Sequence, residues 1–370
     1  MASSLMLVLP FFLLVVCPYA AASARQAPCC YKRLFSLGDS ITDAGNLAIV
    51  APNIPAMAFP YGETFFHRPN GRFCDGRLIV DFIAEALKLP LLTPFLAGNK
   101  AEDFRQGANF AVSGATALSQ QFFKDMGLDL AIIPPFSLDV QVEWFMRVLN
   151  MLGPTEQERK DIMSSSLFLV GEIGGNDYNH PFFQNRSFRD EIKSLVPKVI
   201  EKIENATKVL IGLGAKTIVV PGNFPIGCMP RYLTMFQSNN PGDYDYSGCI
   251  RWLNDFAEEH NRAVRLMLER IRLRDPTVTV VYGDYYGTIL EITRSPDKHG
   301  FRKDVALTAC CGDGGTHNSG TLFSCNATSI LCPDPSKHIS WDGLHLTEAA
   351  YQFVARGILD GLIGSSKCRC

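Results

Sequence analysis

An acid and an imidazole stand three residues apart in the run Trp341-Asp-Gly-Leu-His-Leu-Thr-Glu348, just ahead of a helical pattern through Ala349, Tyr351 and Val354. Within one turn the Asp342 carboxylate can reach the far ring nitrogen of His345. It would then fix the tautomer and stabilise the imidazolium formed when the ring takes a proton. Such a pair serves a nucleophile, and the candidate is Ser40 in Phe35-Ser-Leu-Gly-Asp-Ser-Ile-Thr-Asp-Ala-Gly-Asn46. There Gly38 permits a tight turn after an apolar run, and the following residues can open a helix. Read alone, each run is ambiguous, because Gly-Asp-Ser is also an ordinary turn or helix cap, and an acid three residues before a histidine can cap a helix beside a surface ring. Asp39 competes with Asp342 for the acid role, although adjacent side chains seldom face the same way. His338, seven residues before His345, reads as a solvated histidine or one that backs the site.

Acyl transfer through a serine also requires donors aimed at a developing oxyanion. Gly107-Ala-Asn-Phe-Ala-Val-Ser-Gly-Ala-Thr116 offers the Gly114 backbone N–H where no side chain obstructs approach, and Gly171-Glu-Ile-Gly-Gly-Asn-Asp177 offers the Asn176 side-chain amide. Either segment is equally compatible with a plain strand-to-helix turn. The GxSxG elbow of the α/β-hydrolases is not found at Ser40.

The elements that must position these groups follow from hydrophobic pattern. Five short apolar or β-branched runs, 33–37, 108–112, 166–170, 216–220 and 278–282, read as buried parallel strands. Amphipathic helical stretches at 78–87, 188–213 and 253–272 lie between or beside them, the last with Phe256, Val264 and Leu268 as core contacts. Strands alternating with helices imply a doubly wound α/β layer structure with ligands beyond the carboxyl ends of the strands. No repeat or long linker interrupts the pattern, so residues 25–370 read as one domain with inserted loops. Two insertions stand out. Residues 115–147, rich in Phe, Leu and Pro, either line an acyl or alcohol pocket or form a helical cover on the core; residues 312–336 are rich in Gly, Ser, Thr and Asn and flanked by cysteines.

Composition narrows the partners. The 370 residues carry 35 Lys and Arg against 37 Asp and Glu, so no basic field favours nucleic acid. The first 24 residues read as a signal peptide: an apolar run too short to span a bilayer comfortably, then Ala22-Ser-Ala24 as a cleavage site that would leave Arg25 first. An uncleaved anchor is the rival reading, since no Lys or Arg precedes the run. Of twelve cysteines, Cys17 falls in the leader, and the remaining eleven argue for disulfides with at least one thiol unpaired. Metal-ligand spacing is absent, and neither a metal nor another cofactor is expected. The sequons at Asn185, Asn205 and Asn326 suit glycosylation in the secretory pathway. Extracellular space or cell wall is the expected destination, with an endomembrane lumen as the alternative.

The four blocks around Ser40, Gly114, Asn176 and His345, in this order, resemble those of the plant GDSL esterase/lipase (SGNH hydrolase) family. Pro60-Tyr-Gly-Glu-Thr-Phe-Phe66, Asn70-Gly-Arg-Phe-Cys-Asp-Gly-Arg77 and Pro221-Gly-Asn-Phe-Pro-Ile-Gly-Cys-Met-Pro230 extend the likeness over essentially the whole mature chain. Ile41 stands where the family name has Leu. The resemblance implies a flavodoxin-like three-layer α/β/α sandwich with a five-stranded parallel sheet. It also implies Ser40 as nucleophile and oxyanion donor, Gly114 and Asn176 as further donors, His345 as base and Asp342 as its partner. The implied reaction is ester hydrolysis through an acyl-enzyme, with small acyl groups favoured: acetyl esters of wall polysaccharide or of specialised metabolites, or phenolic choline esters, an acetylated xylan-type polysaccharide or related acetyl ester being the preferred substrate. An acyltransferase, a lipase for longer chains, or a binding protein on the same scaffold are the alternatives. For the cysteines the expected pairs are Cys228 with Cys249, and Cys310 or Cys311 with Cys325 or Cys332, the latter stapling the segment upstream of Asp342.

Overall fold

The computed structural model describes residues 31–320 and 325–365, with side chains up to residue 362. The leader, its cleavage site, Cys29, Cys30, Cys368 and Cys370 lie outside the described residues. Strands β1 (Arg33–Leu37), β2 (Gly107–Asn109), β3 (Ser166–Val170), β4 (Thr217–Pro221) and β5 (Thr279–Gly283) form one parallel sheet in the order β2-β1-β3-β4-β5. Each run is apolar almost throughout because both faces are covered, and parallel neighbours require the long helical crossovers seen between them. The order reverses direction next to β1, which opens a crevice at the carboxyl ends of β1, β2 and β3. The loops carrying Ser40, Gly114 and Asn176 leave from those three ends.

Helices Leu138–Leu152, Val196–Gly212 and Arg251–Arg274 contact one another in sequence as one layer, and Ile79–Ala86, Glu348–Ser365 and Tyr285–Arg294 do so as another. Phe145 anchors the first layer, packing edge-on to Phe35 at 5.2 Å and to Phe168 at 5.5 Å between ring centroids. All three rings are fully buried.

Most boundaries agree with the sequence pattern to within two residues, and the exceptions have local causes. Strand β2 is shorter than 108–112, because beyond Asn109 the chain turns to deliver Gly114 into the crevice. The stretch 188–213 is not one helix. A π turn at Phe188–Ile192 and a 3₁₀ turn at Lys193–Leu195 precede the α-helix Val196–Gly212, whose first turn accepts Pro197 because no N–H partner is needed there. After Ser40 the chain makes a single turn closed by Thr42 and Asp43 N–H groups on the Asp39 carbonyl, and the helix begins only at Asn46.

Both insertions acquire structure. Residues 115–147 contain a short helix, Gln120–Asp125, an apolar strip at 128–136 and the start of Leu138–Leu152, so the segment both lines the crevice and covers the core. In the second, β6 (Cys311–Gly312) and β7 (Ile330–Leu331) form a small antiparallel hairpin. Disulfides join Cys228 to Cys249, Cys310 to Cys332 and Cys311 to Cys325, while Cys74 is a buried free thiol. Cys310 and Cys311 donate backbone hydrogen bonds to Ser340 and Trp341, tying the stapled segment to the loop that carries Asp342.

Candidate active site

The two ends of the chain meet at the crevice. His345 Nε2 lies 2.9 Å from Ser40 Oγ, and His345 Nδ1 lies 2.7 Å from Asp342 Oδ2. The other Asp342 oxygen accepts the backbone N–H groups of His345 at 2.9 Å and Leu344 at 3.1 Å, an Asx-type turn that locks acid and imidazole at their three-residue spacing. Burial pushes the Asp342 carboxyl up, but His345 and these hydrogen bonds more than offset it, so the group sits below the usual carboxylate range. An ionised Asp342 requires Nδ1 to carry the proton, leaving Nε2 to accept one from Ser40.

Tyr61, to which the sequence pattern assigned no role, donates a 2.8 Å hydrogen bond to Asp342 Oδ2. It is fully buried against Phe73 and Trp341, and Phe73 in turn lies 4.8 Å from the His345 ring. The block containing Pro60 and Tyr61 carried no titratable pattern that would have pointed to it. Asp39 lies at the crevice but has no contact with His345; its carboxylate oxygens accept Ile41 N–H at 3.0 Å and the Asn176 amide at 3.2 Å. His338 is buried rather than solvated, its Nδ1–H donating to the Asp334 carbonyl, while its own carbonyl accepts the Thr347 hydroxyl.

The Ser40 turn is clamped from two sides. Gln141, from the insertion helix, accepts the Gly38 N–H at 2.8 Å and donates to its carbonyl at 2.9 Å. Gly38 has φ +146°, and a Cβ there would come within 2.6 Å of Thr42 and 3.0 Å of the Glu172 carbonyl, so no larger residue fits the turn. Asp43 accepts N–H groups from Gly45, Asn46, Leu47 and Ser113, plus the Ser113 hydroxyl, which ties the Ser40 segment to the Gly114 segment.

The backbone N–H groups of Ser40 and Gly114 have no acceptor among the described residues, although Asp39, Ile41, Ser113 and Ala115 on either side of them all do. Gly114 holds φ +82° and its carbonyl accepts the His180 Nε2–H at 2.9 Å, which orients the peptide. Burial lowers the His180 pKa, keeping that ring neutral. Asn176 opens the helix Gly175–Phe183, and its amide donates to Asp39 Oδ2 and, at 3.1 Å, to the Ala115 carbonyl. Both bonds are near the long limit, so the amide is oriented while still able to share a proton with a charged oxygen. Ser40, Gly114 and Asn176 all line the same cleft; donors of these types can stabilise a tetrahedral oxyanion.

Above them is a cavity of about 640 Å³, open at one side and walled mostly by apolar groups. Leu47, Val50 and Ile54 form one wall, the strip 130–136 another, and Phe224, Ile226 and Met229 a third. No Lys or Arg lines it among the described residues. The one cluster of three potential metal ligands among those residues, Cys310, Cys332 and His338, has both sulfurs committed to a disulfide.

Residues 34–358 match the GDSL-like lipase/acylhydrolase family. Two GDSL esterase/lipases of Arabidopsis thaliana are 45% and 46% identical, covering 98% and 91% of this chain and 93% and 86% of their own lengths. The sinapine esterase of Brassica napus is 45% identical over 98% of this chain and 94% of its own. Solved structures resemble the chain only loosely: an α/β hydrolase from the metagenome of Lake Arreo, Spain, aligns over 90% of this chain and 95% of its own with a TM-score of 0.40 and 14% identity. On the family match and the extent of these similarities, the chain belongs to the GDSL lipase/acylhydrolase family and is a hydrolase of ester bonds.

Proposed function

We propose that the chain is a secreted serine esterase in which Ser40 attacks the ester carbonyl, His345 takes its proton and Asp342 stabilises the imidazolium. The N–H groups of Ser40 and Gly114 and the Asn176 amide hold the oxyanion; the alcohol departs with the proton from His345; water then releases the acid by the same steps in reverse. The observation that carries this reading is the continuous run from Asp342 through His345 to Ser40, ending beside two unpaired N–H donors. The three disulfides and the exposure of Asn185, Asn205 and Asn326 support passage of residues 25–370, as one unit, through the secretory pathway with glycans at those sites. No helix among the described residues is long and apolar enough to cross a membrane.

The cavity bears on the substrate. An acetyl group fills a small fraction of about 640 Å³, and burying apolar walls with a substrate contributes roughly 25 cal/mol per Å². Of the expected substrates, this favours esters of specialised metabolites over an acetylated polysaccharide, whose polar chain gains little from such walls. The absence of cationic lining disfavours anionic alcohols and suits neutral or cationic ones. A phenolic choline ester, the substrate class in the printed name of the Brassica napus relative, meets both conditions. The test is a substrate panel: p-nitrophenyl esters from acetate to palmitate, a hydroxycinnamoyl choline ester, and acetylated xylan, each with wild type and Ser40→Ala. The reading predicts serine-dependent release from the hydroxycinnamoyl ester with the highest kcat/KM. Faster acetate release from xylan would return the substrate to wall polysaccharide; palmitate preference would make the enzyme a lipase.

A further inference from the structure

Three buried carboxyl groups lie in the segments next to Ser40 and Asn176, and the proposed mechanism uses none of them. Asp39 is 1%, Glu172 7% and Asp177 0% exposed. Asp177 is held away from the cleft, accepting Ala117 N–H at 2.7 Å and Leu118 N–H at 2.9 Å. Asp39 and Glu172 are neighbours: the Asp39 N–H donates to the Glu172 carbonyl at 3.1 Å, Gly175 N–H anchors Glu172 Oε1 at 3.2 Å, and the two buried carboxyl groups interact electrostatically. Both line the cleft, where no Lys or Arg among the described residues neutralises them. Two buried carboxyl groups in this setting resist ionising together, which favours one proton between them.

The consequence reaches the reaction through Asn176, whose amide donates to Asp39 Oδ2. As a neutral acid Asp39 accepts one long hydrogen bond, fixing the carboxamide without saturating it. As a carboxylate it would grip the amide in a charge-assisted bond and place a second negative charge beside the oxygen that becomes an oxyanion.

We propose that Asp39 is a positioning residue: sharing a proton with Glu172, it presents the Asn176 amide to the oxyanion, and release of that proton to solvent shuts the site down on the alkaline side. The inference rests on the serine mechanism above. Burial and the neighbouring Glu172 push the Asp39 carboxyl well above its usual range, the direction that favours its protonated form. The charged or titratable groups facing it are Glu172 after β3, Asp177 in the helix Gly175–Phe183, and the Tyr285 and Tyr351 phenols, which sense its charge, while His345 acts on Glu172.

The experiment measures kcat and KM for p-nitrophenyl butyrate across pH, with Ser40→Ala as the baseline for spontaneous hydrolysis. Wild type should lose kcat at alkaline pH with KM little changed. Asp39→Asn cannot ionise, but its single amide oxygen must replace two acceptors, for Ile41 N–H and for the Asn176 amide: kcat should fall roughly tenfold or more at neutral pH, the scale of a lost hydrogen bond, while the alkaline decline of the remaining activity should vanish. Asp177→Asn should retain the decline. Asp39→Ala combined with Asn176→Ala should be no slower than Asn176→Ala alone, because both act on one donor. An unchanged alkaline decline in Asp39→Asn, no decline in wild type, or fully multiplying losses in the double variant would each overturn the proposal. Serine-independent turnover in Ser40→Ala would instead overturn the mechanism beneath it.

Discussion

Replacing Asp342 by Asn tests whether the acid works through the tautomer of His345, and the hydrogen bonds around it dictate what the carboxamide must do. One Asp342 oxygen accepts two backbone donors, His345 N–H and Leu344 N–H, and only an oxygen can take that place. The carboxamide nitrogen is therefore forced to the other position, 2.7 Å from His345 Nδ1. Two donors cannot face each other, so the ring must move its proton to Nε2 and donate to Ser40, the reverse of what a base requires. The Tyr61 hydroxyl can rotate to accept from the new NH₂ group, which keeps the fold intact. A wrong tautomer in serine hydrolases costs about 10⁴ in kcat, equivalent to roughly 5.5 kcal/mol. Initial rates on a p-nitrophenyl ester should show that loss with KM nearly constant and the thermal midpoint little changed. Activity within about tenfold of wild type would mean that Asp342 does not set the tautomer and that the reasoning is wrong.

Tyr61→Phe removes one hydrogen bond to a buried carboxylate, worth about 1.5–3 kcal/mol, so denaturant unfolding should show a loss of that order and kcat should drop roughly tenfold. Cys311→Ser with Cys325→Ser opens a link spanning 14 residues; chain entropy places the cost near 3 kcal/mol, read as a lower melting temperature, with activity falling because the segment abuts the Asp342 loop. His260 is buried, bonded through Nδ1 to the Tyr178 hydroxyl, and pushed down to about 3 by burial. Its folded value lies below the ordinary one near 6.5, so its contribution is present above pH 6.5 and is lost as pH falls toward 3, in total about 5 kcal/mol. Asp177, raised to about 7 by burial, acts with the opposite sign over an overlapping window, stabilising the fold as pH falls through 7. The check is therefore the difference between wild type and His260→Gln, which should shrink as the solution is acidified; parallel stability curves would refute it.

The sheet was legible because strands buried on both faces leave continuous apolar runs, and four of the five expected segments differ from the observed strands by one residue at most. The β2 segment was less so: residues 110–112 are as apolar as a strand, yet they run alongside β1 only through Phe110 N–H to Ser36 and Val112 N–H to Gly38 on the way to Gly114. Pattern alone also could not separate the π and 3₁₀ turns before Val196 from a helix, since all bury a similar face. At the site, the residues whose chemistry is written in their type were readable as candidates: serine in one block, carboxylate and imidazole together in another, and carboxamide in a third. Tyr61, Gln141, Asp43 and His180 were not, because their importance lies in contacts over large sequence separations, such as the 281 residues between Tyr61 and Asp342. The cavity was equally hidden. Its walls come from at least six separated parts of the chain, and only folding reveals that the 130–136 strip lines the same cavity as Leu47, Val50 and Ile54.

Whether Ser40 carries the acyl group is decided by trapping the covalent enzyme. The protein is treated with a p-nitrophenyl phosphonate, which mimics the tetrahedral state, and the modified peptide is mapped by mass spectrometry. One adduct per chain is expected, on Ser40, formed in step with loss of esterase activity and absent in Ser40→Ala. Activity that persists after complete labelling, or inactivation that maps to another residue, would contradict it.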